Sequence, residues 1–76
     1  MYVVVGTNVA KPGLNLRKLP STGSEILGVE PIGSKLRVLD NPEDARKRIG
    51  KPGEWILVKD DKGRRGYVGA AYVREA

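Results

Sequence analysis

The sequence predicts an all-β fold: a small antiparallel barrel of about five short strands, with one short helix inserted near residues 42–49. Three observations carry this. Short runs of Val, Ile, Leu and Tyr recur along all 76 residues, separated by Gly, Pro, Asn, Asp and Ser, which is the pattern of strands joined by turns. Apolar and polar residues alternate in Leu14-Asn15-Leu16-Arg17 and in Lys35-Leu36-Arg37-Val38, so each run has one face for a core and one for water. Two strand-favouring runs, 55–59 and 64–68, flank Asp60-Asp61-Lys62-Gly63, a link ending in the glycine a tight hairpin needs where φ turns positive.

Taken in order, Tyr2-Val3-Val4-Val5 is short and β-branched and reads as an edge or closing strand before Gly6-Thr7-Asn8. Lys11-Pro12-Gly13 is a turn. Leu14 and Leu16 then point to the core while Asn15 and Arg17 point away. Residues 18–25 hold too many turn formers for a strand and make a long loop. Residues 26–29 form a brief strand, and Pro31-Ile32-Gly33-Ser34 turns the chain into 35–39, where Leu36 and Val38 face inward.

Residues 40–53 read as an insert built on a capped helix. Asp40 or Asn41 accepts from the first free amides, Pro42 suits the first helical position, and Glu43 and Asp44 sit at the positive end of the dipole. Arg46, Lys47 and Arg48 occupy the negative end, Gly50 takes a left-handed cap and Pro52 prevents continuation. Pairs Glu43 with Lys47 and Asp44 with Arg48 are expected at i,i+4. Two turns do not persist alone, so the helix is expected to dock through Ala45 and Ile49. Beyond the hairpin, Gly66-Tyr67-Val68 passes through Gly69-Ala70-Ala71 into Tyr72-Val73, one strand turning a corner into another.

A chain of this length makes one domain, residues 1–76, and buries only about 60% of the surface its unfolded form exposes. Its twenty Val, Leu and Ile residues must nearly all go inside, with no Phe to help. Cysteine and histidine are both absent. That removes disulfides, thiolate metal sites, the commonest metal ligand and the commonest general base, so no metal and no cofactor is expected. Asp60 and Asp61, adjacent in a turn, point apart and serve the hairpin. Ser21, Ser24 and Ser34 have no histidine to activate them. The glycines around Arg64-Arg65 do not lie between a strand and a helix as a phosphate loop requires. The chain is expected not to be an enzyme. No run approaches the ~18 apolar residues of a membrane span, the N-terminus lacks signal-peptide features, and the size suggests a monomeric domain excised from a larger protein.

The order Trp55, Val58, glycine turn, Gly66-Tyr67-Val68 and Tyr72-Val73, with Leu14-Asn15-Leu16-Arg17, Pro20-Ser21, Ile26-Leu27-Gly28 and 33–38 upstream, resembles the bacterial SH3 (SH3b) family over roughly residues 13–74. The resemblance implies an SH3-like barrel and a non-catalytic binding or targeting module, with cell-envelope ligands such as cell-wall peptides, or a partner domain. An envelope or extracytoplasmic location rests on that resemblance alone; the residues leave the compartment open. The 40–53 insert departs from the family, which usually crosses this point in a few residues.

By the same resemblance Trp55 and Tyr72 line the ligand groove. Alternation supports this for Trp55: if Ile56 and Val58 face in, Trp55 and Leu57 face out. The alternative is that Trp55 covers a thin core from outside; for Tyr67 a structural role is favoured. Arg17, Arg37, Arg64 and Arg65, with Arg46-Lys47-Arg48, offer a basic rim beside Trp55, against a solvated surface as the default reading of each charge and the dipole as the reason for the helix-end cations; Arg17 and Arg64 are expected as ligand contacts with the two aromatics. Proline-helix recognition is disfavoured, since the early paired tyrosines of signalling SH3 domains are absent and their groove proline is Gly69 here. Two further readings stay open. The net charge of +5 permits nucleic-acid binding, although the cations are spread along the chain and stacking rings are few. A purely structural protein-contact domain is the other.

Overall fold

A computed structural model describes residues 1–76. Seven strands form one antiparallel sheet: β1 (Tyr2–Val5), β2 (Leu14–Arg17), β3 (Ile26–Glu30), β4 (Lys35–Val38), β5 (Trp55–Lys59), β6 (Arg65–Gly69) and β7 (Val73–Glu75). Their order is β3-β2-β6-β5-β4-β1-β7. The strands number seven, above the expected five or so, and the two terminal ones, both anticipated as strands, pair with each other, Val5 opposite Val73. β1 is therefore a closing strand and not an edge, lying between β4 and β7.

Alternation works as anticipated. Leu14, Leu16, Leu36, Val38, Ile56 and Val58 share one buried cluster with Val3, Val5, Val68, Val73, Ala70 and Ala45. Each fully buried aliphatic contributes roughly 1.5–3 kcal/mol, and here the inward residues of successive strands supply nearly all of it. Between β5 and β6 the turn is fastened by Asp60: its Oδ1 accepts from the Lys62 and Arg64 amides at 3.0 and 2.8 Å, and Gly63 has φ +81°, a conformation that L side chains resist.

The insert is ordered around a helix, α1 (Pro42–Arg48). Asn41, not Asp40, is its N-cap, accepting from the amides of Glu43 and Asp44 at 3.0 and 3.3 Å. Asp40 instead accepts the Leu57 amide at 2.9 Å and meets Arg48 at 3.4 Å. Neither expected i,i+4 pair forms; Arg48 turns back to Asp40 and the Trp55 carbonyl, and Arg46 reaches Glu75 on β7 at 3.1 Å. The Asp40 carboxylate and the Trp55 carbonyl claim Arg48 in place of Asp44, a solvent-exposed neighbour on the same helix, where such pairs are worth only a few tenths of a kcal/mol. Docking goes through Ala45, fully buried, with Ile49 partly buried against the same core. The corner after β6 is a 3-10 turn, Ala70–Tyr72, so Tyr72 precedes the last strand instead of opening it.

Candidate functional site

One open groove of about 640 Å³ lies at the end of the barrel where β5 begins. Trp55, the first residue of β5, points outward as its neighbours Ile56 and Val58 point in, and is half-buried, outside the core cluster. Across the ladder from Trp55 stands Gly69. Tyr72 folds over that glycine: a Cβ there would sit 3.0 Å from the tyrosine ring, so the missing side chain lets the ring lie beside Trp55. The 3-10 turn carrying Tyr72 is tied down by three hydrogen bonds, Gly6 N–H to the Tyr72 carbonyl (2.8 Å), Asn8 Nδ2 to the Ala71 carbonyl (3.0 Å) and Gly50 N–H to the Ala70 carbonyl (2.9 Å).

Arg17, at the end of β2, lines the same groove. Its Nη1 donates to the Ser24 carbonyl at 2.9 Å, which fixes the guanidinium and leaves most of its five N–H donors for an acceptor. Pro52 and Gly53, at the end of the insert, and Glu54 after it line the same groove, held because the Ala70 amide donates to the Glu54 carbonyl at 2.8 Å. The groove thus offers two aromatic faces, a guanidinium and one carboxylate. Those are the elements that hold a peptide: rings against its apolar parts, charges against its polar ones.

Arg64 is elsewhere, a correction to the expectation that it joins Arg17. Its Nε donates to Asp60 Oδ2 at 2.7 Å and its Nη2 lies 3.6 Å from Glu30 Oε2, while Nη1 reaches the Leu27 carbonyl at 3.4 Å. The guanidinium packs against Gly28, where a Cβ would collide with it. Both carboxylates are buried, Glu30 only 3% and Asp60 6% exposed. Burial, the hydrogen bond to Asp60 and Asp60's charge push Glu30 up to about 7, against the attraction of Arg64. Burial also opposes ionisation of Asp60, but its bonds to Glu30 and Arg64 outweigh that and hold it down at about 2. Hydrogen bonding to Asp60 raises Arg64. Two buried acids sharing one cation cannot both ionise cheaply, so Asp60 keeps the charge and Glu30 takes the proton.

The rest of the expected basic rim also disperses. Arg46 and Arg48 are committed to Glu75 and Asp40, and Lys47 does not line the groove. Arg37 and Arg65 belong to a different surface. There Tyr2, Arg37, Lys59 and Arg65 stand opposite one another on β1, β4, β5 and β6, so cations that look scattered along the chain gather on one sheet face. Tyr67 sits half-buried on the outer side of β6 opposite Leu57 and Arg17, apart from the groove. Sequence reasoning missed Glu30 and the Pro52–Glu54 wall. Glu30 is opposite Leu14, which shows it faces inward, but that pairing becomes visible only with the register in hand. The wall was signalled by the insert itself.

Trp55, Tyr72 and Arg17 therefore meet in one groove, and Arg64 does not. A comparison with protein families finds the bacterial SH3 domain over residues 12–74. No curated protein and no solved structure gives a match. Domains of this type bind, and they are generally non-catalytic. With the strands in the order described and the family's residues spanning all but the two ends of the chain, the protein belongs to the bacterial SH3 domain family.

Proposed function

We propose that this domain is a non-catalytic targeting module of a larger bacterial protein, working outside the cytoplasm, whose groove takes a short cell-wall peptide or a peptide segment of a partner domain. One observation supports this above the rest: the core closes on twelve other residues without Trp55 or Tyr72, leaving both rings, with Arg17, to line a single open groove. A tryptophan needed to seal the core would be buried among those aliphatics. Here it is a wall, and the end of the insert supplies another.

Binding is expected to be weak, since a shallow groove with two rings covers only part of a peptide. Titration with soluble peptide fragments of bacterial cell wall, followed by the Trp55 indole and Tyr72 ring resonances, should shift both. Trp55→Ala and Tyr72→Ala should each weaken binding at least about tenfold, the loss of roughly 1.4 kcal/mol typical of an aromatic anchor, with little change in the unfolding midpoint. Unmoved resonances at millimolar fragment would remove the cell-wall version and leave the partner segment. Resonances unmoved by the neighbouring domain as well would end the proposal.

A further inference from the structure

The second depression, about 430 Å³, shares no residue with the groove and is lined by Tyr2, Lys35, Arg37, Lys59, Asp60 and Asp61. It sits on the cationic sheet face. In cross-strand register Arg37 is directly opposite Lys59, and Lys59 directly opposite Arg65. Lys35 lies two residues along β4 from Arg37, on the same outward face, and Val4 pairs with both Lys35 and Arg74 of β7. All five cations are exposed. None forms an ion pair, since the four pairs of the molecule involve Arg46, Arg48 and Arg64 only.

Like charges placed directly opposite in a ladder destabilise a sheet, so this row does nothing for the fold. Its nearby acids do not neutralise it: Asp60 is consumed by Arg64, and Asp61 is a single exposed carboxylate at one end. Lys35 Nζ lies 4.8 Å from the centre of the Tyr2 ring, which holds that ammonium at the rim of the depression. Strands are about 4.8 Å apart, so Arg37, Lys59 and Arg65 form a line about 10 Å long running across the sheet, with a hollow at one end.

We propose that this face binds the phosphodiester backbone of a flexible, linear polyanion, laid along the Arg37–Lys59–Arg65 row with one phosphate in the hollow beside Lys35. The row is narrow and starts in a concavity, which suits a strand-like ligand better than a flat bilayer. The one ring that lines the hollow, Tyr2, is already engaged by Lys35, so recognition there is of backbone charge, not of bases. The surface is independent of the Trp55 groove.

The test is binding of a fluorescent 20-residue oligo(dT) to the whole domain at 50–200 mM salt. Four cations on four phosphates give a slope of log affinity against log salt near −2.8, from about −0.7 per phosphate on a single strand. Arg37→Gln with Lys59→Gln should bring the slope to about −1.4 and weaken binding at least tenfold at the low-salt end, while Trp55→Ala changes neither. The double variant should unfold at the same or higher urea concentration, because it relieves a repulsion; a lower midpoint would assign these side chains a structural role and overturn the proposal. An abasic deoxyribose-phosphate oligomer of the same length should bind within about threefold of oligo(dT). A tenfold preference for the bases, equal binding of poly-glutamate, tighter binding of vesicles holding anionic phospholipid, or an unaltered double variant would each overturn it. Failure here leaves the peptide groove untouched, and a groove that binds no peptide leaves this face untouched.

Discussion

Arg17 and Arg64 begin from the same position in the sequence reading, as two cations expected beside Trp55, and end in opposite circumstances. Arg17 makes one side-chain hydrogen bond, to the Ser24 carbonyl, and faces an open groove. Arg64 is held by Asp60, Glu30 and the Leu27 carbonyl. What separates them is the location of buried carboxylates. An arginine next to a carboxylate that has lost its water is committed to it, because leaving would strand a buried charge; an arginine next to a carbonyl and solvent keeps donors to spare. The groove is therefore the part of the molecule equipped to exchange partners, and the hairpin cluster is a fastening between β3 and the β5–β6 turn.

The largest expected effect tests that fastening. Arg64→Ala removes the only cation facing two buried carboxylates and should lower the urea midpoint more than any groove substitution, read by far-UV circular dichroism. Arg17→Ala should shift it by no more than about 1 kcal/mol equivalent, one hydrogen bond to a carbonyl. Equal losses for the two variants would erase the distinction. Core truncation gives the scale: Leu16→Ala, at a fully buried site, should cost about 2–5 kcal/mol, enough to unfold much of a domain this small.

Next in size is the pH dependence of the cluster. Glu30 rises on folding from 4.5 to about 7, so the folded state holds a proton that the unfolded state releases between those values. Its stabilisation is complete below about pH 4.5 and is lost as pH climbs through 7. Asp60 has the opposite sign: its folded value of about 2 lies below 3.8, so its contribution is present above about pH 4 and lost as pH falls toward 2. Stability should peak near pH 4–5 and decline toward pH 8 by on the order of 1–3 kcal/mol, less than the whole shift converts to, because the Arg64 side chain open to water screens the pair. Glu30→Gln keeps a donor toward Asp60 at every pH. It should flatten the decline above pH 5 and make the variant more stable than the parent at pH 8; an unchanged profile would mean that Glu30 ionises normally.

Arg17 lines the groove with Trp55 and Arg64 does not, and the reason lies in what each position depends on. Alternation along a single strand settles which side of β5 carries Trp55 and which side of β2 carries Arg17, so these were readable from residues two apart. The helix was readable for the same reason: cap, proline, charges and terminal glycine all lie within ten residues. Arg64 depends on Glu30, thirty-four residues earlier, and on Gly28 being bare enough for the guanidinium to pack against it. Neither is a local property. The cationic row was hidden in the same way, since Arg37, Lys59 and Arg65 become neighbours only when β4, β5 and β6 are registered.

The smallest expected effect concerns the wall that the insert builds, and it asks whether the groove is preformed to the degree the comparison requires. Asn41→Ala removes the cap that holds the first turn of α1, a loss of about 1 kcal/mol. The helix remains docked by Ala45, and the wall at Pro52, Gly53 and Glu54 is fixed separately by the Ala70 amide bonding to the Glu54 carbonyl and the Gly50 amide bonding to the Ala70 carbonyl. Fragment affinity at the Trp55 groove should therefore change less than about twofold while hydrogen exchange of the Glu43 and Asp44 amides quickens. If affinity falls in step with that exchange, the wall is being held by the helix instead of by the 3-10 turn, and the groove belongs with the parts of the fold that must be assembled before a ligand can find them.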